Sequence, residues 1–387
     1  MTIQTKLSEL LKKEREELGF TLKSVSKKMG FNNYQTLSSI EAGERDVKAW
    51  ELSKLAKIYG RDIEYFLSFE SPQSEPEILW RNPGENQGQE LVRRKFLTIC
   101  RNYQNLFELL WRTNEADEAL SFKINKRQLI YANAFEYAAK IASQYVDLLN
   151  LGCRPACSLA KILEEKMGVK IIYLPLDSDL SGGATIDQGF GMAILINSND
   201  APWRRNYDLA HEFFHLITWD FFDKDDVYLR KDDKKSHVEQ LADVFASALL
   251  LPEEEVREEF AEKSKDKSIT YLNLIDIARD FRVSVDALMW RLVNLNLLKK
   301  ENVEEALQKG LIKDTDKKQR KADWAESAKP YLSDQYITFA IKAFHLGRIS
   351  KGKLAEYVDE SYSDISSFLL RYGYDENEDY SFAYSTA

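Results

Sequence analysis

Apolar residues recur at helical spacing from the start of the chain. Leu7, Leu10, Leu11 and Leu18 share a face and run into Gly19, which predicts a helix ended by a glycine cap. Thr21 is a candidate cap for a second helix carrying Leu22, Val25 and Met29 before Gly30, and Asn33 for a third through Leu37 and Ile40. After Gly43, the spacing of Leu52, Leu55, Ala56 and Ile58 predicts a fourth helix from Trp50 to Tyr59. Four or five short helices in about seventy residues predict a compact bundle.

Two polar stretches, Ser71 to Pro76 and Asn82 to Gly88, read as linker, and helical periodicity follows to about residue 167. The period then changes. Val169 to Leu174 and Met192 to Ile196 are short, β-branched runs separated by Gly182-Gly183 and Gly189, which predicts a small antiparallel sheet. Helices resume at Trp203. Ser284 is a candidate cap in a helical tail over 271–298, Lys299 to Lys321 reads as solvated helix or loop, and Tyr331 to Tyr372 reads as another small helical unit. The expected class is mainly α (α+β), divided into 1–70, 71–129, 130–298 and 299–387.

A chain of 387 residues exceeds the usual size of one domain, which agrees with that division. The N-terminus lacks the apolar core of a signal peptide, no apolar run is long enough to cross a bilayer, and three cysteines cannot all pair internally. A reducing cytoplasm, with no membrane partner, is the expected setting. Cys153 and Cys157 have no second Cys or His pair at metal-binding spacing, so they read as buried or idle thiols. The net charge of -9 argues against nonspecific coating of nucleic acid. Residues 1–70 nevertheless carry +1, which leaves the remainder near -10, so any DNA contact belongs at the front.

The chemistry concentrates at His211-Glu212-Phe213-Phe214-His215. Histidines four apart on a helix project from one face and reach one ion, while Glu212, one position along, reaches water beside that ion. Two neutral imidazoles can hold Zn²⁺ and a carboxylate can act as general base. Three of the four histidines, His211, His215 and His237, fall in one short region. A peptidase site needs a third protein ligand. Glu239 is the candidate, with Asp243 one turn further to accept the free N–H of a ligating histidine; the alternative makes Glu239 a surface carboxylate and His237 the ligand. Two His and a carboxylate also suit Mn²⁺ or Fe²⁺. The strand Met192 to Ile196 either offers its edge to an extended substrate or merely covers the core.

Asn197, Arg204-Arg205 and Asn206 to Glu212, followed by Glu239, Ala242-Asp243, Phe245-Ala246 and Leu250-Leu251-Pro252, resemble the ImmA/IrrE metallopeptidases over roughly residues 130–295. The resemblance implies a zincin-like domain in which His211, His215 and Glu239 bind zinc and Glu212 is the base. It also implies a repressor as substrate and genes switched on after DNA damage or a related signal. Phe214 departs from the glycine many members carry there, which bears on the pocket's shape and not on the ligands.

The first seventy residues resemble helix-turn-helix domains of phage-repressor type (XRE/Cro-like), through Leu7, Leu10, Arg15, Gly19, Thr21, Val25-Ser26, Gly30 and Leu37 to Arg45. In that fold the third helix enters the major groove of double-stranded DNA. Here it would present Tyr34, Gln35, Thr36 and Ser39, with Gln35 suited to an adenine edge, while Lys23, Lys27, Lys28 and Arg45 hold operator phosphates. A dimerisation or partner-docking module is the other role for such a head, and a homodimer is among the forms it permits.

The expected function is a DNA-binding regulator fused to a zinc peptidase that cleaves a repressor or antitoxin-like protein and so controls stress-response or mobile-element genes. The alternative is a transcription factor whose peptidase-like domain is a sensor or interaction module with little or no proteolysis. Glu212 favours the first, since a purely structural metal needs no base beside it.

Overall fold

The computed structural model describes residues 3–68, 76–80, 87–111, 122–131, 133–176, 181–223, 236–264, 268–326 and 331–376. The linker readings at 71–75 and 82–86 lie outside the described residues.

The head comprises α1 (Ile3–Glu17), α2 (Leu22–Met29), α3 (Gln35–Glu41), α4 (Ala49–Tyr59) and α5 (Ile63–Ser68). Thr21 caps α2 by accepting the Ser24 N–H, and Gly30 ends it in the left-handed region. Asn33 accepts the Thr36 N–H at 3.2 Å, so it serves the start of α3 although Tyr34 occupies the cap position itself. Leu11, Leu18, Val25, Leu37, Ile40 and Leu55 form the apolar core. Arg15 and Glu41 add a buried two-point ion pair at 2.7 and 2.9 Å, which locks α1 to α3.

A two-residue strand, β1 (Leu79–Trp80), precedes the long α6 (Gln87–Leu110), and α7 (Lys126–Ile130), α8 (Ala134–Leu149) and α9 (Leu159–Met167) follow. Then come β2 (Lys170–Leu174), β3 (Gly182–Asp187) and β4 (Gly191–Asn197), in spatial order β1-β3-β4-β2. β3 and β4 form an antiparallel hairpin, but β2 lies parallel to β4. The sheet is therefore mixed where an antiparallel one was expected. The expectation failed because β2 does not turn back along its sequence neighbour: β3 turns against β4, and β2 takes the far side of β4.

Both faces of the sheet are buried, which explains the near-continuous apolar runs. Ile171, Ala184, Ile194 and Ile196 face one core, while Ile172, Leu174, Ala193 and Leu195 face another. The first core is completed by α8, α10 (Pro202–Ile217), α11 (His237–Leu250), α12 (Glu253–Lys263), α13 (Tyr271–Asp280), α14 (Val285–Asn294) and residues of α15 (Lys300–Lys309) and α16 (Leu311–Glu326). Ser284 caps α14 through the Ala287 N–H. The stretch read as solvated, Lys299 to Lys321, is helix anchored by buried Val303, Ala306 and Ile312 and by a buried Asp316–Arg320 pair. The second core joins α6 to α17 (Asp334–His345), α18 (Lys351–Tyr357) and α19 (Ile365–Arg371).

The head is tied to α6 by buried charge. Arg94 reaches Glu14 and Glu17 of α1 at 2.5 and 2.7 Å, and Arg61 and Tyr65 also engage Glu14. Among the described residues no helix is long and apolar enough to cross a membrane.

Glu164 on α9 is buried between α6 and the C-terminal helices and accepts the Tyr103 hydroxyl at 3.0 Å. Burial pushes its carboxyl up to about 7, against the hydrogen bonds from Ser333, Tyr103 and the Ile171 backbone. A carboxyl held neutral in the fold contributes stability that is complete below its ordinary value of 4.5 and is lost as pH rises through about 7. Wild type should thus lose roughly 2–3 kcal/mol relative to Glu164→Gln between pH 4.5 and 8. Denaturant unfolding of both proteins across that range checks it; parallel stability curves would exclude the buried acid.

Candidate metal centre

α10 starts with Pro202 at its first position, where the missing N–H costs nothing, and is buried from Asp208 to Leu216. His211 and His215 stand one turn apart on it, 0% and 3% exposed, with their Nε2 atoms 3.2 Å from each other. Phe213 and Phe214 intervene between them. Both pack on Phe245 of α11, with ring centroids 5.9 and 5.4 Å apart, and Phe213 also meets Tyr145. Phe214 therefore belongs to the core that clamps α10 to α11, and its ring also meets that of His215, with centroids 6.1 Å apart.

α11 begins at Ser236, which accepts the Glu239 N–H at 3.2 Å. A glutamate three residues after a capping serine commonly turns back to the cap. Here its side chain turns to the imidazoles: Glu239 Oε2 is 3.2 Å from His211 Nε2, and Oε1 is 3.0 Å from His215 Nε2. Burial works to raise the Glu239 carboxyl, but the facing His211 and His215 outweigh it and hold that carboxyl well below the usual carboxylate range.

Asp243, one turn later on α11, meets His211 Nδ1 at 3.0 Å. That contact assigns the proton of His211 to Nδ1 and leaves its Nε2 lone pair facing Glu239 and His215. Tyr207 of α10 donates its hydroxyl to the Asp243 backbone oxygen at 2.9 Å, which fixes the register of the two helices at the level of the site. Tyr207 stood inside the quoted motif, yet its contact could not be read from spacing because it spans thirty-six positions.

The donor set suits a divalent ion. His211, His215 and Glu239 each offer one atom within a common 4.8 Å. The two Nε2 atoms, 3.2 Å apart, lie close to the about 3.3 Å between ligands of a tetrahedron with bonds of about 2.0–2.1 Å, and each faces a different oxygen of Glu239. His237 takes no part, because its Nε2 meets the Leu129 carbonyl at 3.2 Å and its ring lies against Phe135. Cys153 and Cys157 are free thiols outside the group, and both are exposed where burial was one of the two expectations.

Glu212 is 1% exposed and lies against β3. A Cβ at Gly182 would stand 3.5 Å from both Cγ and Oε1 of Glu212 and 2.7 Å from the Leu195 carbonyl. The glycine thus lets the strand close against both the base candidate and β4. The strand bordering the metal helix at this point is β3. β4, the Met192 to Ile196 run, is interior to the sheet, paired with β3 on one side and β2 on the other, so it has no edge to offer a substrate. Asn197 closes its end structurally, accepting the N–H groups of Leu176 and Asn199.

In the head, Tyr34, Gln35 and Lys27 are exposed, and Thr36 and Ser39 are half-buried, all on or beside α2 and α3. Arg45 differs from the expected phosphate contact in being committed inward: it donates to Glu51 at 2.8 Å, and Glu51 also accepts the Lys48 N–H.

Comparison with protein families matches residues 164–293 to the IrrE N-terminal-like domain and residues 11–66 to the helix-turn-helix family. No curated protein matches the chain. One chain thus joins a helix-turn-helix domain over residues 11–66 to an IrrE-like, metallopeptidase-like domain over residues 164–293, an architecture that supports a DNA-binding regulator.

Proposed function

We propose that this regulator is a zinc-dependent endopeptidase that cleaves a repressor or antitoxin-like protein and thereby controls stress-response or mobile-element genes. The observation that carries the reading is the Glu239 carboxylate set between His211 and His215, with Glu212 buried beside them. The domains assigned are 1–70 for DNA, 71–129 as linker and helical region, 130–298 for peptide hydrolysis and 299–387 as a helical region. The head reads an operator through Tyr34, Gln35, Thr36 and Ser39, with Lys27 on phosphate.

His211, His215 and Glu239 are the residues that would hold the ion, the imidazoles through the Nε2 atoms that face the Glu239 carboxylate. Zinc bound there supplies a Lewis acid and lowers the pKa of water at the site. Asp243 keeps the proton of His211 on Nδ1 and so orients that ring. Glu212 takes the proton of the attacking water on its carboxylate and passes it to the leaving nitrogen as the peptide bond breaks. The buried position of Glu212 against Gly182 excludes competing solvent from that carboxylate. Mn²⁺ or Fe²⁺ would be held by the same donors.

Purified metal-loaded protein, incubated with the product of a neighbouring repressor gene, should cleave it, and Glu212→Gln should reduce the rate by about 10²–10⁴-fold with metal content unchanged. Equal cleavage by wild type and Glu212→Gln would exclude the peptidase reading. Asp243→Asn should weaken zinc binding about 10–100-fold while the two ligating rings and Glu239 remain present. Competition against a chromophoric chelator measures this, and an unchanged affinity would remove Asp243 from the site.

A further inference from the structure

The edge of β3 is already taken. Leu79 and Trp80, the strand between the head and α6, pair antiparallel with Ala184 and Gly183. The contact continues upstream, where the Thr185 hydroxyl donates to the Glu77 carbonyl at 2.6 Å. β3 is also the strand whose Gly182 lies against Glu212, so β1 runs along the very strand that borders the candidate base. Trp80, its last paired residue, stands opposite Gly183, one step from Gly182.

The sequence of β3 is shaped for a close backbone neighbour. A Cβ at Gly183 would come within 2.9 Å of the Leu79 carbonyl, 3.1 Å of Ile78 Cγ2 and 3.4 Å of Trp80 Cε3. The space a side chain would fill is occupied by the backbone and side chains of the added strand. An extended peptide that adds to a sheet edge gains affinity from main-chain hydrogen bonds and selectivity from alternate side chains. β1 has the features of such a peptide, an apolar residue and an aromatic one in extended form. It is only two residues long, and a paired segment that short adds little stability of its own.

The segment is also held from behind. The Pro76 carbonyl accepts from Arg93 of α6 at 3.1 Å, and the next residue, Arg94, grips Glu14 and Glu17 of the head. Neighbouring side chains of one helix thus anchor both the strand and the DNA-reading domain.

The geometry points to β1 as a built-in occupant of the substrate strand's place: the edge of β3 receives an extended peptide of the protein substrate, which must displace Leu79 and Trp80 to reach the metal centre. This inference rests on the peptidase reading above. Its physical content is an exchange between strands in cis and in trans, so apparent affinity for a peptide is reduced by the fraction of molecules whose edge is covered.

The probe is a fluorescein-labelled peptide with the sequence of residues 75–83, read by anisotropy against the full-length, metal-loaded protein. Trp80→Ala, which loosens the strand in cis, should bind the peptide about tenfold more tightly than wild type. A Leu79→Cys/Ala184→Cys pair, in a Cys153→Ser/Cys157→Ser background, should abolish binding when oxidised and regain the wild-type affinity on reduction. Amide exchange along 182–187 should be faster in Trp80→Ala and slower in the oxidised pair, which reports edge opening without hydrolysis. Equal peptide affinity for wild type, Trp80→Ala and the oxidised pair would overturn the inference, as would no binding to any of them. If strand exchange behaves as stated while Glu212→Gln cleaves like wild type, the peptidase reading fails and the strand exchange stands.

Discussion

Everything proposed for the central domain depends on one helix crossing. α10 supplies two imidazoles and a buried carboxylate, but alone it offers only two ligands on one face. α11 brings Glu239 to within 3.0–3.2 Å of both rings and Asp243 to the far nitrogen of one of them. Two unlike contacts set that crossing. Phe213 and Phe214 pack on Phe245 and fix the distance between the helices, and the Tyr207 hydroxyl on the Asp243 carbonyl fixes their relative slide. Apolar packing is insensitive to small slides, whereas a hydrogen bond is not. Phe213 and Phe214 thus set the helix crossing on which the arrangement of the site residues depends.

The sheet has the complementary task of separating two cores. Successive residues of β2 and β4 alternate between the metal-helix side and the side built by α6 and the C-terminal helices. The C-terminal segment, about which the sequence offered only periodicity, covers the back of the strands that border the candidate centre. Through Arg94 the same α6 holds the head, so the helix-turn-helix head and the domain of the candidate metal centre share a spine of buried contacts. Removing one member of a buried charge pair leaves its partner uncompensated, at a cost of about 3–5 kcal/mol.

What could be read from the sequence was what depends on local spacing. The pair His211 and His215 follows from the helical repeat, Thr21 and Ser284 acted as the caps their residue types suggested, and the alternation of the head's leucines and isoleucines marked its helices. Two family matches agree with the architecture inferred from those patterns. The losses are equally physical. β3 was hidden because it opens with Gly182-Gly183, residues that ordinarily punctuate a strand but here accept a close backbone on one side and Glu212 on the other. β1 is too short to carry a period. The parallel pairing of β2 and β4 is set by which side of β4 remains open after the hairpin forms, and no local pattern records that. Arg45 looked like a phosphate contact by charge alone, while its partner Glu51 is decided by the fold.

The proposed chemistry requires that His211, His215 and Glu239 form one metal site. X-ray absorption at the zinc edge of the loaded, full-length protein tests it most directly. The expected spectrum shows nitrogen and oxygen scatterers including two imidazoles and no sulfur, and the bound ion is lost in Glu239→Ala. A sulfur shell from the cysteines, or a first shell unchanged by Glu239→Ala, would contradict it.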